Sequence, residues 1–209
     1  MGVLDPVCRI FKEKAERVSA VVTLVKNDHE AIGYALDLCE KKETCQLLAS
    51  GCQSPLSTRA VALCEEKQQK VIAAPCLAPD RFRKLEIGCQ DRGIVLVGED
   101  LRRHLAGIDI AFTVADYGIA ETGTLVLDST SEDLRLATMV SEVHVAVLPL
   151  SRLRRTAFEL EPELTEMMQN PTRYIAFITG ASRTADIERV LALGVHGPLE
   201  LHVLLLEDR

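Results

Sequence analysis

Short apolar runs alternate with capped, helix-like segments along most of the chain, and this alternation constrains the fold more than any other feature. Runs such as 94–97 and 143–148 have the length of buried strands rather than of helices. Between such runs, segments begin with helix-capping residues, as at Asn27 with Glu30 three positions later. Strands that alternate with helices favour parallel pairing through right-handed crossovers. The sequence therefore predicts an α/β protein with a mainly parallel sheet sandwiched by helices.

The other predicted elements follow the same order along the chain. Strands are predicted at 71–75, Ile108–Val114, 124–127, 174–179 and 201–206, and a short apolar run lies at 44–49. Helices are predicted at 27–39, from Ser54-Pro55, from Asp80 to Gly88, from a capping box of Ser129 and Glu132 to Val140, and over most of 153–168. No linker, low-complexity segment or internal repeat interrupts the series, so residues 1–209 are predicted to form a single domain.

The N-terminal region is predicted to form a helical arm over residues 1–26, ahead of the first strand of the sheet. Its apolar residues recur at spacings of four and three, which places them on one face of a helix. This arm either packs on the chain's own sheet, which we favour, or contacts a second subunit. The apolar residues that define it are Phe11, Ala15, Val18, Val22 and Val25.

Charge and hydropathy argue against two classes of function. The formal net charge is −7, and an acidic surface repels phosphate backbones, so nucleic-acid binding is not expected. No apolar run is long enough to span a bilayer, and the N-terminal residues are charged rather than signal-like. We therefore expect a cytoplasmic protein without a membrane span. A pocket for a small anion is compatible with this charge, because net charge does not describe one cleft.

The cysteines and histidines do not indicate a cofactor site. The odd count of seven cysteines argues against a disulfide framework. The lack of C-x-x-C spacing argues against an iron–sulfur cluster held by this chain, and the alternative is a cluster assembled in space, because all seven lie in the first half of the chain. We expect most of them to be small buried hydrophobes. No histidine pair has metal-binding spacing, so no metal is expected. The cysteines are Cys8, Cys39, Cys45, Cys52, Cys64, Cys76 and Cys89.

The first candidate site is the polar loop 116–124, which lies between two predicted strands. Ligands of parallel sheets bind beyond the carboxyl ends of strands, where this loop is expected. Its two carboxylates suit an acid, a base or a nucleophile, and its hydroxyls suit contacts with a polar ligand. The alternative is a hairpin-like connection whose polar side chains satisfy its own backbone. The candidate residues are Asp116, Glu121, Thr122, Gly123 and Thr124.

The second candidate site is the loop 179–198. Gly180 turns the chain after a strand, and Ser182 is predicted to cap a following helix, whose free N–H groups would hold a carboxylate or phosphate. Arg183 would add a bidentate contact to the anion, with Thr184 beside it. The alternative is that Arg183 only pairs with a nearby acidic residue. His196, in a turn of two glycines and a proline, is a secondary proton donor or simply a hydrogen-bonded loop residue.

The two loops together resemble the lactate-utilisation protein C family. The matching motifs are 115–126, 178–188 and 193–203, in the family's order and spacing. The opening helix at Phe11–Ala15 agrees loosely, so the resemblance covers nearly the whole chain. Two positions depart from the family: Ala181 stands where Pro is usual, and Leu199 where Arg is common.

The resemblance implies a fold related to the coenzyme A transferase, ribose-5-phosphate isomerase and glucosamine-6-phosphate deaminase superfamily. It also implies a role in oxidising L-lactate to pyruvate beside two partner subunits that carry iron–sulfur clusters, so this chain is expected to bind no cofactor itself. Coenzyme A transferases of that superfamily use a Glu near a Gly as nucleophile. Glu121 followed by Thr122 and Gly123 is similar in type, which makes Glu121 the best candidate nucleophile or base.

Two other functions fit the same residues. One is a free-standing enzyme that acts on a phosphorylated sugar, a folate or a coenzyme A thioester. The other is a regulatory or assembly module whose cleft holds no ligand. The sequence leaves open whether the chain forms a homo-oligomer.

Overall fold

The computed structural model describes residues 5–43, 69–104, 107–169, 172–185, 191–193 and 197–208, with the backbone alone described at 183–185 and 191–193. The run predicted at 44–49, the helix predicted from Ser54-Pro55 and the candidate residue His196 lie outside the described residues.

Five α-helices are present in the described part of the chain. Two of them begin as capping rules predict: Asp5 accepts a hydrogen bond from the Val7 N–H, and Asn27 accepts one of 3.0 Å from the Glu30 N–H. No helix in the described ranges has the length and apolarity to cross a membrane. The helices are α1 (Pro6–Arg17), α2 (Asp28–Lys41), α3 (Pro79–Asp91), α4 (Glu132–Val140) and α5 (Glu161–Met168).

The main sheet has six described strands, and every neighbouring pair in it is parallel. This confirms the predicted α/β class with a mainly parallel sheet. In spatial order the strands are β1 (Ala20–Val25), β12 (Glu200–Leu206), β7 (Ser141–Pro149), β4 (Ile108–Val114), β2 (Val71–Ala73) and β3 (Val95–Val97).

A smaller sheet, which the sequence did not predict, has four described strands. Two of its three pairings are antiparallel, and a separate antiparallel hairpin follows it in the chain. The strands are β8 (Leu153–Arg154), β5 (Tyr117–Ile119), β6 (Thr124–Asp128) and β9 (Ile175–Thr179) in spatial order, and the hairpin is β10 (Arg183–Ala185) with β11 (Leu191–Leu193).

Apolar residues cover both faces of the main sheet. Along β7, Val145 and Val147 belong to a cluster with α2 and α3, whereas Ala146 and Leu148 belong to a cluster with α1 and β6. Successive side chains of a strand point to opposite faces, so the central strand is buried on both sides. The main sheet is therefore flanked by α2 and α3 on one face and by α1 and the smaller sheet on the other.

The prediction of a helix reaching Val25 is wrong, because α1 ends at Arg17 and Val25 lies on β1. Val22 packs in the cluster with α1, and Val25 packs in the cluster with α2. Because β1 has buried residues on both faces, Val22 and Val25 are both apolar at a spacing of three, which resembles the spacing along one face of a helix. The part of the arm that is helical, with Phe11 fully buried, packs on the chain's own core.

Three other boundaries differ from the predictions. Ser182 does not start a helix: its N–H donates to the Pro198 carbonyl at 3.0 Å, and β10 follows it. Ser131, rather than Ser129, caps α4, because the Ser129 N–H is bound to the Tyr174 carbonyl at 2.7 Å and ties this residue to the start of β9. Residues 153–168 begin with β8 and a 3-10 turn, so only α5 is α-helical there.

Candidate functional site

The β5–β6 hairpin separates the two carboxylates of the first candidate loop. Asp116 lies at the open end of the hairpin, where its Oδ2 accepts a 2.6 Å hydrogen bond from the Asp128 N–H. Glu121 lies at the turn, is exposed, and accepts a 2.8 Å hydrogen bond from the Ala157 N–H. Asp116 therefore holds the backbone of its own hairpin, as the structural alternative predicted, whereas Glu121 holds the backbone of a different segment, and the two carboxylates do not share a partner.

A chain of three hydroxyls joins the first loop to the second. Thr122 Oγ1 lies 2.7 Å from Thr124 Oγ1, which lies 2.7 Å from Thr179 Oγ1. The pairing of β6 with β9 causes this contact, because Thr124 and Thr179 are partners in the antiparallel register. The two loops thus meet at the turn end of the hairpin.

The glycines of both loops are required by the close approach of α1. Gly123 has φ +66° and Gly180 has φ +75°, a backbone region that favours glycine. A Cβ added to Gly123 would lie 2.4 Å from the Ala15 nitrogen, and one added to Gly180 would lie 2.3 Å from the Val18 oxygen. Packing against the N-terminal helix and its end therefore explains both glycines without a ligand.

A groove of about 510 Å³ runs along β9, and we call it the β9 groove. Its walls are β9 itself with the residues that follow it, and one side of α4. Of the predicted site residues with described side chains, it contains Gly180 and Ser182 and excludes Asp116 and Glu121. The side chains of Arg183 and Thr184 lie outside the described set. The other lining residues are Ser129, Arg135, Thr138, Met139, 174–179, Ala181, Gly197 and Pro198.

Arg135, on α4, is the fixed cation of the β9 groove. Its Nη1 donates to the carbonyl oxygens of Ser129, at 2.5 Å, and Thr130, at 2.8 Å, and its guanidinium lies 5.0 Å from the centre of the Tyr174 ring. No acidic side chain among the described residues forms an ion pair with it. The sequence did not indicate Arg135, because its position depends on the contact between the start of α4 and the start of β9.

A second cavity, of about 320 Å³, lies beyond the carboxyl ends of β2 and β4. From β2 the chain continues to β3 on one side of the main sheet, and from β4 it continues to β7 on the other side. The cavity lies where these two directions separate, which is a topological switch point. It contains Asp116, together with Cys76, whose φ is +58°. Asp128, also in its wall, accepts hydrogen bonds from the N–H and hydroxyl of Thr130.

The described thiols are not arranged for metal binding. No group of three or more His, Cys, Asp or Glu in the described ranges has the geometry of a metal site. Burial raises the pKa of Cys39 to about 12 and that of Cys89 to about 11, and burial with the charge of Asp5 also raises the pKa of Cys8. Cys76 is exposed. Buried neutral thiols of this kind act as small hydrophobes.

Two buried polar groups in the main sheet are structural. Burial lowers the pKa of His144 to about 4, and its Nε2 lies 2.8 Å from the Thr113 hydroxyl oxygen. Lys42 Nζ lies 2.8 Å from Asp109 and 3.1 Å from Glu142. Both groups lie on strands β4 and β7 or beside them, away from the residues that line the β9 groove.

Comparison with protein-family models gives a match to the LUD domain over residues 8–206. Lactate utilization protein C of Halalkalibacterium halodurans is 36% identical over 115 residues, which cover 54% of this chain and 50% of that protein. Lactate utilization protein C of Geobacillus thermodenitrificans is 27% identical over 199 residues, which cover 85% of this chain and 82% of that protein.

Two further similarities concern proteins without a described activity. An uncharacterized protein of Neisseria meningitidis is 39% identical over 99 residues, which cover 46% of this chain and 42% of that protein. The matches to this protein and to the Halalkalibacterium protein thus span half of the relatives' length or less. A crystal structure of a DUF162 family protein from Deinococcus radiodurans superposes with a TM-score of 0.57 at 17% identity, covering 96% of each chain, which shows a shared fold.

Proposed function

The chain belongs to the LUD domain family, and from this membership we propose that it is a component of an L-lactate utilisation system that oxidises L-lactate to pyruvate. The observation that carries the proposal is the agreement with relatives named Lactate utilization protein C, one of which matches over 85% of this chain. The motifs that resemble the family lie within residues 8–206, which match the family model.

We propose further that the redox chemistry belongs to partner subunits that carry iron–sulfur clusters. A cluster is held by thiolates that lie close together. Cys8, Cys39 and Cys89 are buried, and no group of three or more His, Cys, Asp or Glu in the described ranges has the geometry of a metal site. The described thiols of this chain do not fit a cluster, and this supports a division of labour with partners in the cytoplasm.

The contribution of this chain would then be to bind a small anion or a partner at the cleft where the two loops meet. Gly180 and Ser182 line the β9 groove, and the hydroxyls of Thr122 and Thr124 lead to its edge at Thr179. Glu121 as nucleophile or base, and His196 as proton donor, stay predictions. Exposed Glu121, whose carboxylate is bound to the Ala157 N–H, would have to release that hydrogen bond to act.

The test is purification of the tagged chain from its native cells under gentle conditions, with partner identification, iron analysis and L-lactate oxidation in one eluate. We expect iron–sulfur subunits and lactate oxidation to co-purify with the chain. A solitary, iron-free chain that turns over a phosphorylated sugar, a folate or a coenzyme A thioester would instead establish a free-standing enzyme. Growth on L-lactate that is unaffected by deletion of the gene would refute the role in lactate utilisation.

A further inference from the structure

The guanidinium of Arg135 is held in place without a neutralising charge among the described residues. Two carbonyl oxygens and the Tyr174 ring fix its orientation, but both carbonyls bind the same nitrogen, Nη1. A planar guanidinium has five N–H donors, and it favours carboxylates and phosphates, which accept two of them side by side. A guanidinium whose orientation is already fixed in the wall of a groove is preorganised to bind an anion.

The hydroxyl of Ser129 independently indicates a missing ligand. Ser129 is 3% exposed and lines the β9 groove, yet its Oγ has no hydrogen-bond partner among the described residues. A buried hydroxyl without a partner is costly, and such groups are rare in folded proteins. An oxyanion bound at Arg135 would supply the acceptor, because the Ser129 carbonyl already contacts the same guanidinium.

Three large apolar side chains form part of the remaining wall of the groove. Tyr174, Phe177 and Met139 line it and are 63%, 54% and 58% exposed, although large apolar side chains normally avoid water. The groove volume of about 510 Å³ lies within the range of about 300–1,000 Å³ that is typical for sites of drug-sized ligands. A three-carbon acid such as lactate would leave most of this space empty.

We propose that the β9 groove binds an organic anion larger than lactate, whose oxyanion head group contacts Arg135 and Ser129 and whose apolar body lies against Tyr174, Phe177 and Met139. This inference specifies the anion-binding part of the proposed function. It rests on the proposed function for its role in the cell, whereas the binding itself can be tested separately. It assigns the anion's charge to Arg135, while anion contact by Arg183, whose side chain lies outside the described set, stays a prediction.

The experiment compares two fluorescent probes that share an aromatic body and differ in charge. 1-Anilinonaphthalene-8-sulfonate carries an anionic group, and N-phenyl-1-naphthylamine lacks it. Both are titrated into the purified full chain and into Arg135→Gln and Ser129→Ala. We expect Arg135→Gln to weaken binding of the sulfonate about tenfold or more, the effect of losing a charge-assisted hydrogen bond, and to change binding of the neutral probe less than about twofold.

Matched controls separate the site from general effects of charge and stability. Arg83→Gln removes an exposed charge on α3, outside the groove, and Ser141→Ala removes another buried hydroxyl without a partner among the described residues. Both should leave the two affinities unchanged, while Ser129→Ala weakens only the sulfonate. Because Ser129 Oγ makes no hydrogen bond to the described residues that Ala would lose, this variant should fold even where Arg135→Gln does not.

Equal loss of both probes, or no loss in Arg135→Gln and Ser129→Ala, would overturn the inference. The result is independent of the lactate role. Arg135-dependent binding by a chain that is dispensable for growth on L-lactate would support the anion site and refute the proposed function. Lactate growth that needs the chain, without Arg135-dependent binding, would refute the anion site alone.

Discussion

Replacing Gly123 with Ala should destabilise the protein through the N-terminal helix. The residue is held at φ +66°, and the added Cβ would lie 2.4, 2.7 and 2.8 Å from backbone atoms of Ala15 and Lys14. Carbon atoms in ordinary contact are about 3.5–4 Å apart, so α1 must move by on the order of 1 Å. Because Ala15 and Phe11 are fully buried, this shift disturbs the packing of α1 on the core.

Two other glycines divide this cost into its parts. Gly93 has φ +65° with nothing within 4 Å of an added Cβ, so Gly93→Ala measures the left-handed backbone alone, about 1–2 kcal/mol. Gly33, inside α2, also has nothing within 4 Å, so Gly33→Ala should stabilise by about 0.5–1 kcal/mol. Gly123→Ala adds overpacking of about 1–3 kcal/mol to the backbone cost, about 2–5 kcal/mol in all.

Urea unfolding followed by circular dichroism gives the three free energies, and thermal melting provides a second measure. For a chain of this size about 2–4 °C of Tm corresponds to 1 kcal/mol, so Gly123→Ala should lower Tm by on the order of 10 °C. If Gly123→Ala costs no more than Gly93→Ala, α1 yields without loss and the packing argument is refuted. Glycine at 123 would then be required by its left-handed backbone alone.

Three further predictions concern buried groups. Burial lowers the pKa of His144 from 6.5 to about 4, so the unfolded chain binds the proton first and the free energy of unfolding falls as pH drops from about 6.5 to 4. Across that pH window the free energy of unfolding should fall by about 3 kcal/mol less in His144→Gln than in the native chain. Lys42→Met removes the ammonium beside Asp109, which is 1% exposed, and should lower the free energy of urea unfolding by about 3 kcal/mol. The control Lys41→Met, at an exposed position, should lower it by less than about 0.5 kcal/mol. Equal losses in the two variants would contradict the burial argument. Of the four described thiols, only Cys76 should react with iodoacetamide at pH 8 in the native chain, as peptide mass spectrometry would show, and early labelling of Cys39 would contradict its raised pKa.

Five of the six described strands of the main sheet were predictable because each carries its own local information, whereas β1 was wrongly predicted to be helical. Ile108–Val114 is predicted and observed with identical bounds, and α2 begins at the predicted cap. The smaller sheet was not predicted, because β5 has three residues and β8 has two, lengths at which apolar periodicity carries no information. Ser182 was misplaced for a related reason: whether a polar residue caps a helix or precedes a strand depends on its partner, here the Pro198 carbonyl 16 residues later.

The sequence of each loop indicated candidate residues of the site, but which of them meet depends on the pairing of strands. Sequence proximity suggested that Asp116 and Glu121 act together, but a hairpin places its first residue and its turn at opposite ends. Thr124 and Thr179 lie 55 positions apart and touch because β6 pairs with β9. The same pairing sets Tyr174 against Ser129 and thereby forms the pocket of Arg135. An arginine in a short helix has no sequence feature that distinguishes it from a solvated one. Its lack of a counter-ion among the described residues, visible only after folding, makes it an anion-site candidate that the sequence did not indicate.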